Sequence, residues 1–199
     1  MIKFFKAIFN KISFAKISDE ELVKKYQNSS NTKYFDILYQ RHSSKVYGKC
    51  LSMLNNETMS KDALQDIFLK VLLNISKFNF KSKFTTWVYS ITYNHCIDVI
   101  RKEGKLKFEK EEYSMYSEKI DTNDAIHEEE ELLKIKVHNL EVVLDSIPIK
   151  DKAVLLMKYQ GGLSIKEMCS MLNKSESAVK MGIKRAKEKC IRKHKELFK

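Results

Sequence analysis

Glycine and proline are scarce in this chain, with 5 Gly and 1 Pro among 199 residues. Sandwiches and barrels need turn residues at short intervals, so this scarcity excludes them. No run of 18 apolar residues occurs, which excludes a membrane-spanning helix. The four cysteines, Cys50, Cys96, Cys169 and Cys190, form no C-x-x-C pair. Only Cys96 has a second metal-ligand type beside it, His95. Neighbours on a helix point about 100° apart, so that pair is a poor metal site. Free thiols in a reducing cytoplasm are the expectation. A Walker loop, H-E-x-x-H, G-x-S-x-G and a carboxylate cluster on a credible scaffold are also missing. "DTND" starts like a calcium loop but lacks the glycine and the closing glutamate. The expectation is a non-enzyme with no metal and no cofactor.

What the chain has in quantity is Lys, Glu, Leu, Ile and Met, which favours an all-α fold. Hydrophobic residues make up 43%, enough for one medium domain or two small ones. The net charge is +11, which invites a polyanionic partner. That charge is segregated. Residues 1–102 carry 17 basic against 8 acidic side chains, and residues 150–199 carry 14 against 5. Between them, residues 103–131 hold 4 basic and 11 acidic side chains, which reads as a solvated linker. Two helical modules on a flexible acidic tether follow from this pattern.

The start, "MIKFFKAIFNKISF", places Phe4, Phe5, Ile8, Phe9 and Ile12 on one side of a helix and Lys3, Lys6 and Asn10 on the other. Lysines break any signal-peptide core, and no small-residue cleavage site follows. The segment is therefore an amphipathic helix that docks on the protein or touches a membrane surface, without stable insertion. Further on, Ser18 followed by Asp19, Glu20 and Glu21 predicts a capped helix start. Residues 31–54 predict a long helix, broken at 55–58. From Met59, the residues Leu64, Ile67, Phe68, Val71, Leu72 and Ile75 give a helical stripe. A loop, "KFNFKSKF", and a helix over 85–102 come next. Helices resume at about Leu132 to Asp145, and another covers 151–159 before Gly161 and Gly162, where left-handed caps are expected.

Three constellations stand out. Asp62, Gln65 and Asp66 make one polar patch opposite the apolar stripe. In the loop, Phe78, Phe80 and Phe84 alternate with Lys77, Lys81 and Lys83; ahead of them Trp87, Asn94, Asp98 and Arg101 share a helix face. Aromatics among cations suit single-stranded bases, since rings stack on bases while ammonium groups meet phosphates; a hydrophobic core with lysines at its rim is the plainer account. The third is a helix-turn-helix. Ile165, Met168, Cys169 and Leu172 line its first helix, Asn173 makes the turn, and Val179, Ile183 and Ala186 line its second. Ser175, Glu176, Ser177, Lys180, Lys184, Arg185 and Lys187 are left for a major groove, or for water if this is an ordinary helical hairpin.

The order "DALQDIFLKVLLNISKF", "FTTWVYSITYNHCIDVIRK" and "IPIKDKAVLLMKYQGGLSIKEMCSMLNKSESAVKMGIKRAKEK" resembles the small, extracytoplasmic-function (ECF) type of bacterial RNA polymerase sigma factor. The resemblance covers residues 19–102 and about 134–195. It implies a region 2-like bundle over 19–103 and a region 4-like helix-turn-helix domain over 134–199, which leaves the amphipathic extension over 1–18 and the acidic linker over 104–133 outside it. By the same resemblance, Asp62, Gln65 and Asp66 match the D-x-x-Q-E/D motif that docks on the polymerase largest subunit. Phe80, Lys81, Lys83 and Phe84 match the loop that captures a flipped base of the −10 element, with Trp87, Asn94, Arg101 and Lys102 behind it. Ser175, Glu176, Ser177, Lys180, Lys184 and Arg185 match the −35 helix. The family's usual T-V-K-S-R reads here as Ala178, Val179, Lys180, Met181 and Gly182, so the arginine is replaced by glycine. The implied protein is cytoplasmic. Its partners are core polymerase and promoter DNA, with an anti-sigma factor left open. The alternative is a helix-turn-helix regulator that binds a duplex operator without polymerase.

Overall fold

The computed structural model describes residues 17–108 and 128–198, with side chains over 17–103 and 133–198. The amphipathic start and most of the acidic linker lie outside the described residues. Every regular element among the described residues is helical. They are α1 (Asp19–Ser29), α2 (Thr32–Leu54), α3 (Glu57–Asn74) with a 3-10 turn (Ile75–Lys77), and α4 (Phe84–Phe108). After the linker come α5 (Glu128–Asp145), α6 (Ile149–Leu155) with a π turn (Leu156–Gln160), α7 (Ile165–Leu172) and α8 (Glu176–Leu197). The chain divides into two compact units between Cys96 and Ile97, inside α4.

In the first unit, short polar caps set the helix ends. The Ser18 hydroxyl accepts from the Glu21 N–H at 3.2 Å, and Asp19, Glu20 and Glu21 fill the positive first turn of α1. Two asparagines make the whole α2–α3 connection. Asn55 takes a left-handed φ of 49° to end α2, and the Asn56 side chain accepts from Met59 N–H at 2.9 Å to begin α3. α3 thus starts at Glu57, two residues before Met59, and takes in Glu57 and Thr58 of the expected break. Its buried line is Ser60, Ala63, Ile67, Phe68 and Val71, while Leu64 and Leu72 are only half-buried on its shoulders. Leu22, Val23, Leu38, Val46, Met53, Ile75, Phe84, Val88 and Tyr93 complete the core. Each fully buried Leu or Val side chain contributes about 1.5–3 kcal/mol relative to exposure.

Polar groups inside this unit are held in place. Asp19 receives Arg41 Nη1 at 2.6 Å and lies 2.7 Å from His42 Nε2, tying α1 to α2. Burial favours the neutral acid, but the hydrogen bonds from His42 and Arg41 outweigh it and hold the Asp19 carboxyl below its ordinary range. Lys49 is buried with Nζ 4.3 Å from the Tyr89 ring centroid and 5.8 Å from that of Tyr93. Burial, then the nearby Lys45 charge, push the Lys49 ammonium down; burial pushes the Tyr93 phenol up. All four cysteines are free thiols; Cys50 and Cys96 are buried, Cys169 and Cys190 half-buried.

The second unit is built on α8. Ile147, Leu155 and Ala186 form a buried cluster against which Leu144 and Cys190 pack. Buried Lys152 reaches Asp145 at 2.5 Å, and Lys189 reaches Asp151 at 2.5 Å, joining α6 to α5 and to α8. The sequence-predicted helix over 151–159 begins at Ile149 instead and widens into the π turn, where Gly161 N–H donates to the Leu156 carbonyl at 2.7 Å. Of the two glycines, only Gly162 is left-handed, at φ 63°. α7 opens with a reciprocal cap: the Ser164 hydroxyl accepts from Glu167 N–H, and the Glu167 carboxylate accepts from Ser164 N–H at 2.9 Å. Asn173 ends α7 at φ 50°, the left-handed turn the sequence predicts. Met168, Val179, Ile183 and Ala186 are buried, while Ile165, Cys169 and Leu172 are half-buried.

Candidate nucleic-acid and polymerase interfaces

α3 has two unlike faces because its buried line uses one side only. On the opposite side Asp62, Gln65 and Asp66 are exposed. Leu69 and Leu73, one and two turns further along, are 55% and 66% exposed. The spacings 3, 4, 7 and 11 from Asp62 place all five on one stripe. Sequence reasoning missed the two leucines because it stopped at the polar patch; the same spacing carried forward finds them. At the edge of the stripe the Asp66 carboxylate lies 3.7 Å from His95 Nε2, and Lys70 Nζ lies 2.7 Å from His95 Nδ1. An acidic end followed by exposed leucines is chemistry for a protein partner with a basic and an apolar contact.

The loop after α3 gathers four rings. Phe78 lies 4.9 Å from Phe80, 5.9 Å from Phe84 and 5.1 Å from Trp87, centroid to centroid, and Phe84 lies 5.8 Å from Trp87. Phe78 is buried and Phe84 is 0% exposed, backed by His42 at 5.5 Å. Phe84 therefore supports the cluster from within the core, and Phe80 and Trp87 are the rings with surface open to a ligand. Phe80 holds a left-handed φ of 60°, an unusual state for an aromatic residue. Lys81 and Lys83 are exposed on either side of the turn. Asn94 is exposed two turns along α4 from Trp87. Beyond Cys96, Arg101 and Lys102 are exposed, and Arg101 Nη1 lies 3.6 Å from Asp98.

On α8 the buried residues Val179, Ile183 and Ala186 fix which side points out. Ser177, Met181, Lys184 and Glu188 run along the middle of the opposite side at spacings of 4, 3 and 4. Ser175 caps the helix, its hydroxyl accepting from Ala178 N–H at 3.3 Å. Lys180 pairs with Glu176 at 2.6 Å, their mutual hydrogen bond lowering the acid and raising the amine. Lys184 lies 3.9 Å from Glu188, Arg185 is exposed, and Lys187 stacks over the Tyr159 ring at 4.9 Å. Met181, 46% exposed in the middle of this basic face, has no core to fill and is a surface residue that sequence reasoning passed over.

Comparison with known proteins joins these surfaces. Residues 38–106 match the family Sigma-70 region 2, and residues 138–190 match Sigma-70, region 4, together more than half of the chain. The chain is 28% identical over 173 residues to the ECF RNA polymerase sigma factor SigW of Bacillus subtilis (strain 168), covering 83% of this chain and 91% of that protein. It is 28% identical over 169 residues to SigX of the same organism, covering 82% and 84%. Two solved structures share the fold. CnrH, in complex with the cytosolic domain of CnrY, has a TM-score of 0.62 at 20% identity, with 86% of this chain and 94% of that chain covered. The sigma factor RpoE of Bartonella quintana, in complex with the anti-sigma factor NepR, has a TM-score of 0.63 at 14% identity, with 84% and 99% covered. With a region 2 bundle carrying the ring cluster and a region 4 helix-turn-helix carrying the basic helix, this chain belongs to the ECF-type RNA polymerase sigma factors.

Proposed function

We propose that this sigma factor divides its work among the three surfaces as follows. The outer face of α3 docks on core RNA polymerase, with Asp62, Gln65 and Asp66 meeting cations and Leu69 and Leu73 covered by apolar side chains. Phe80 and Trp87 take an unstacked base of the opened −10 strand, Lys81 and Lys83 meet its phosphates, and Phe78 and Phe84 brace the rings from behind. Asn94, Arg101 and Lys102 extend the strand contacts along α4. On the upstream duplex, Ser175, Ser177, Lys180, Lys184 and Arg185 meet phosphates and base edges in the major groove, and Glu176 accepts from a cytosine amino group or orients Lys180. The chain contributes positioning and strand separation to initiation, with the chemistry left to the polymerase, and it acts in the cytoplasm. An anti-sigma factor is a further partner of the same surfaces. A free-standing operator binder is not favoured, since it has no use for an exposed acid-and-leucine face on α3.

That face carries the reading, because leucines standing open beside three polar residues gain most from a partner. Covering one exposed leucine is worth about 1.5–3 kcal/mol at full burial. With 55% and 66% of Leu69 and Leu73 left to cover, about 0.8–2 kcal/mol is at stake, so replacing either with alanine should weaken core-polymerase binding by roughly 4- to 30-fold. Asp66→Arg should abolish run-off transcription with purified core enzyme while leaving binding to −35 duplex unchanged. Normal transcription by Asp66→Arg would overturn the assignment.

A further inference from the structure

The family match begins at residue 38, so α1 stands outside it. Yet α1 makes the long-range hydrogen bonds to the −10 loop. The Gln27 side-chain amide donates to the Ile75 carbonyl at 2.8 Å and to the Phe78 carbonyl at 3.0 Å. One amide thus spans the 3-10 turn, from its first residue to the root of the loop. The Glu20 carboxylate accepts from Phe84 N–H at 2.9 Å, satisfying a donor that the first turn of α4 leaves without a helical partner. Between these two clamps, Lys24 places its ammonium 5.3 Å from the Phe80 ring centroid. Gln27, Lys24 and Glu20 stand at spacings of 3 and 4, so one stripe of α1 faces the loop throughout.

We propose that α1 is a working part of the strand-reading site, with Lys24 a DNA-contacting residue and Gln27 and Glu20 positioning residues that hold Phe80 ready. The proposal rests on the −10 assignment above. Phe80 keeps its left-handed backbone only while its surroundings hold it, and the clamps fix both ends of the segment that contains it. The Lys24 ammonium lies over the Phe80 ring, so a nucleotide whose base stacks on that ring brings its phosphate within reach of the lysine's flexible stem. Lys24 then serves the nucleotide twice, polarising the ring and neutralising the phosphate. Lys81 and Lys83 reach the strand from the loop, and Lys24 reaches it from α1.

The test uses holoenzyme reconstituted from full-length chain and core polymerase. The probe is a fluorescein-labelled promoter fragment with a pre-opened −10 bubble, selected from a random library by the wild-type enzyme. Lys24→Gln should bind this probe about 3- to 10-fold more weakly at moderate salt. Its log affinity against log salt should be shallower by about 0.7, the loss of one single-strand phosphate contact. Lys24→Arg should restore both. Gln27→Leu should weaken binding by a similar factor at every salt concentration with the slope unchanged, because it moves the loop and removes no charge. Core-polymerase binding by each variant is the folding control. Wild-type affinity and slope in Lys24→Gln would overturn the contact, and unchanged affinity in Gln27→Leu would overturn the clamp. A wild-type holoenzyme that does not prefer the bubble over closed duplex would instead overturn the −10 reading itself.

Discussion

Gly182 sits in the interior of α8, in the helix assigned to the −35 groove, where the family usually carries arginine. Its φ is not left-handed, and a Cβ built on it meets nothing within 4 Å. Nothing in the fold therefore requires glycine. Gly182→Ala removes backbone freedom from the unfolded chain without overpacking the folded one, and alanine is favoured over glycine in helix interiors by about 0.8–1.0 kcal/mol. For a unit of this size that gain raises the melting temperature by roughly 4–8 °C. Differential scanning calorimetry of the full chain should show the transition that includes α8 moving up by that amount. Affinity for −35 duplex should stay within about twofold. Gly182→Arg should gain slightly less stability, yet strengthen duplex binding and steepen its salt dependence by about 0.9 for one added phosphate contact. An unchanged or lower melting temperature for Gly182→Ala would refute the account of open space around this position. A higher melting temperature with a tenfold loss of duplex affinity would show that the glycine lets the helix approach DNA more closely than any side chain permits.

Other expectations follow from particular contacts. Asp19 ionises more readily folded than unfolded, so its contribution is fully present above its unfolded pKa and is lost as pH falls through the lower, folded value. Asp19→Asn should therefore cost about 1–3 kcal/mol near neutrality in urea unfolding, and the gap to wild type should close below about pH 4. A gap that does not narrow as pH falls below about 4 would rule out the ion pairs as its origin. Met181 presents thioether and methylene groups where the residues assigned above to the −35 groove are otherwise polar, and apolar groups there suit the thymine methyl. Replacing thymines by deoxyuridine in a selected −35 duplex should weaken wild-type binding several-fold at one or two positions, while Met181→Ala should be indifferent; equal losses in both proteins would assign the effect to DNA shape.

Much of this protein was legible in the sequence, for a local reason. The cap at Ser18 acts over three residues, and the left-handed turn at Asn173 is equally local. Helical periodicity likewise placed Met168, Val179, Ile183 and Ala186 inside, and three ordered motifs named the family. Periodicity divides a helix into faces, but a neighbouring element decides which ring on a face remains open. Phe84 and Trp87 are three residues apart and chemically alike, yet one is core and the other half-buried, because α2 brings His42 against the first. Leu69 and Leu73 look like core residues until the line through Ser60, Ala63, Ile67, Phe68 and Val71 is seen to take the buried side of α3. The hold of α1 on the loop after α3 was not visible at all. Gln27 bonds to carbonyls 48 and 51 residues away and Glu20 to an amide 64 away, and such pairings exist only once the chain has closed on itself. Sequence determined the helices, the charge segregation and the family; tertiary packing decided which side chains face a partner, because exposure depends on every element around a residue rather than on the residue's own helix.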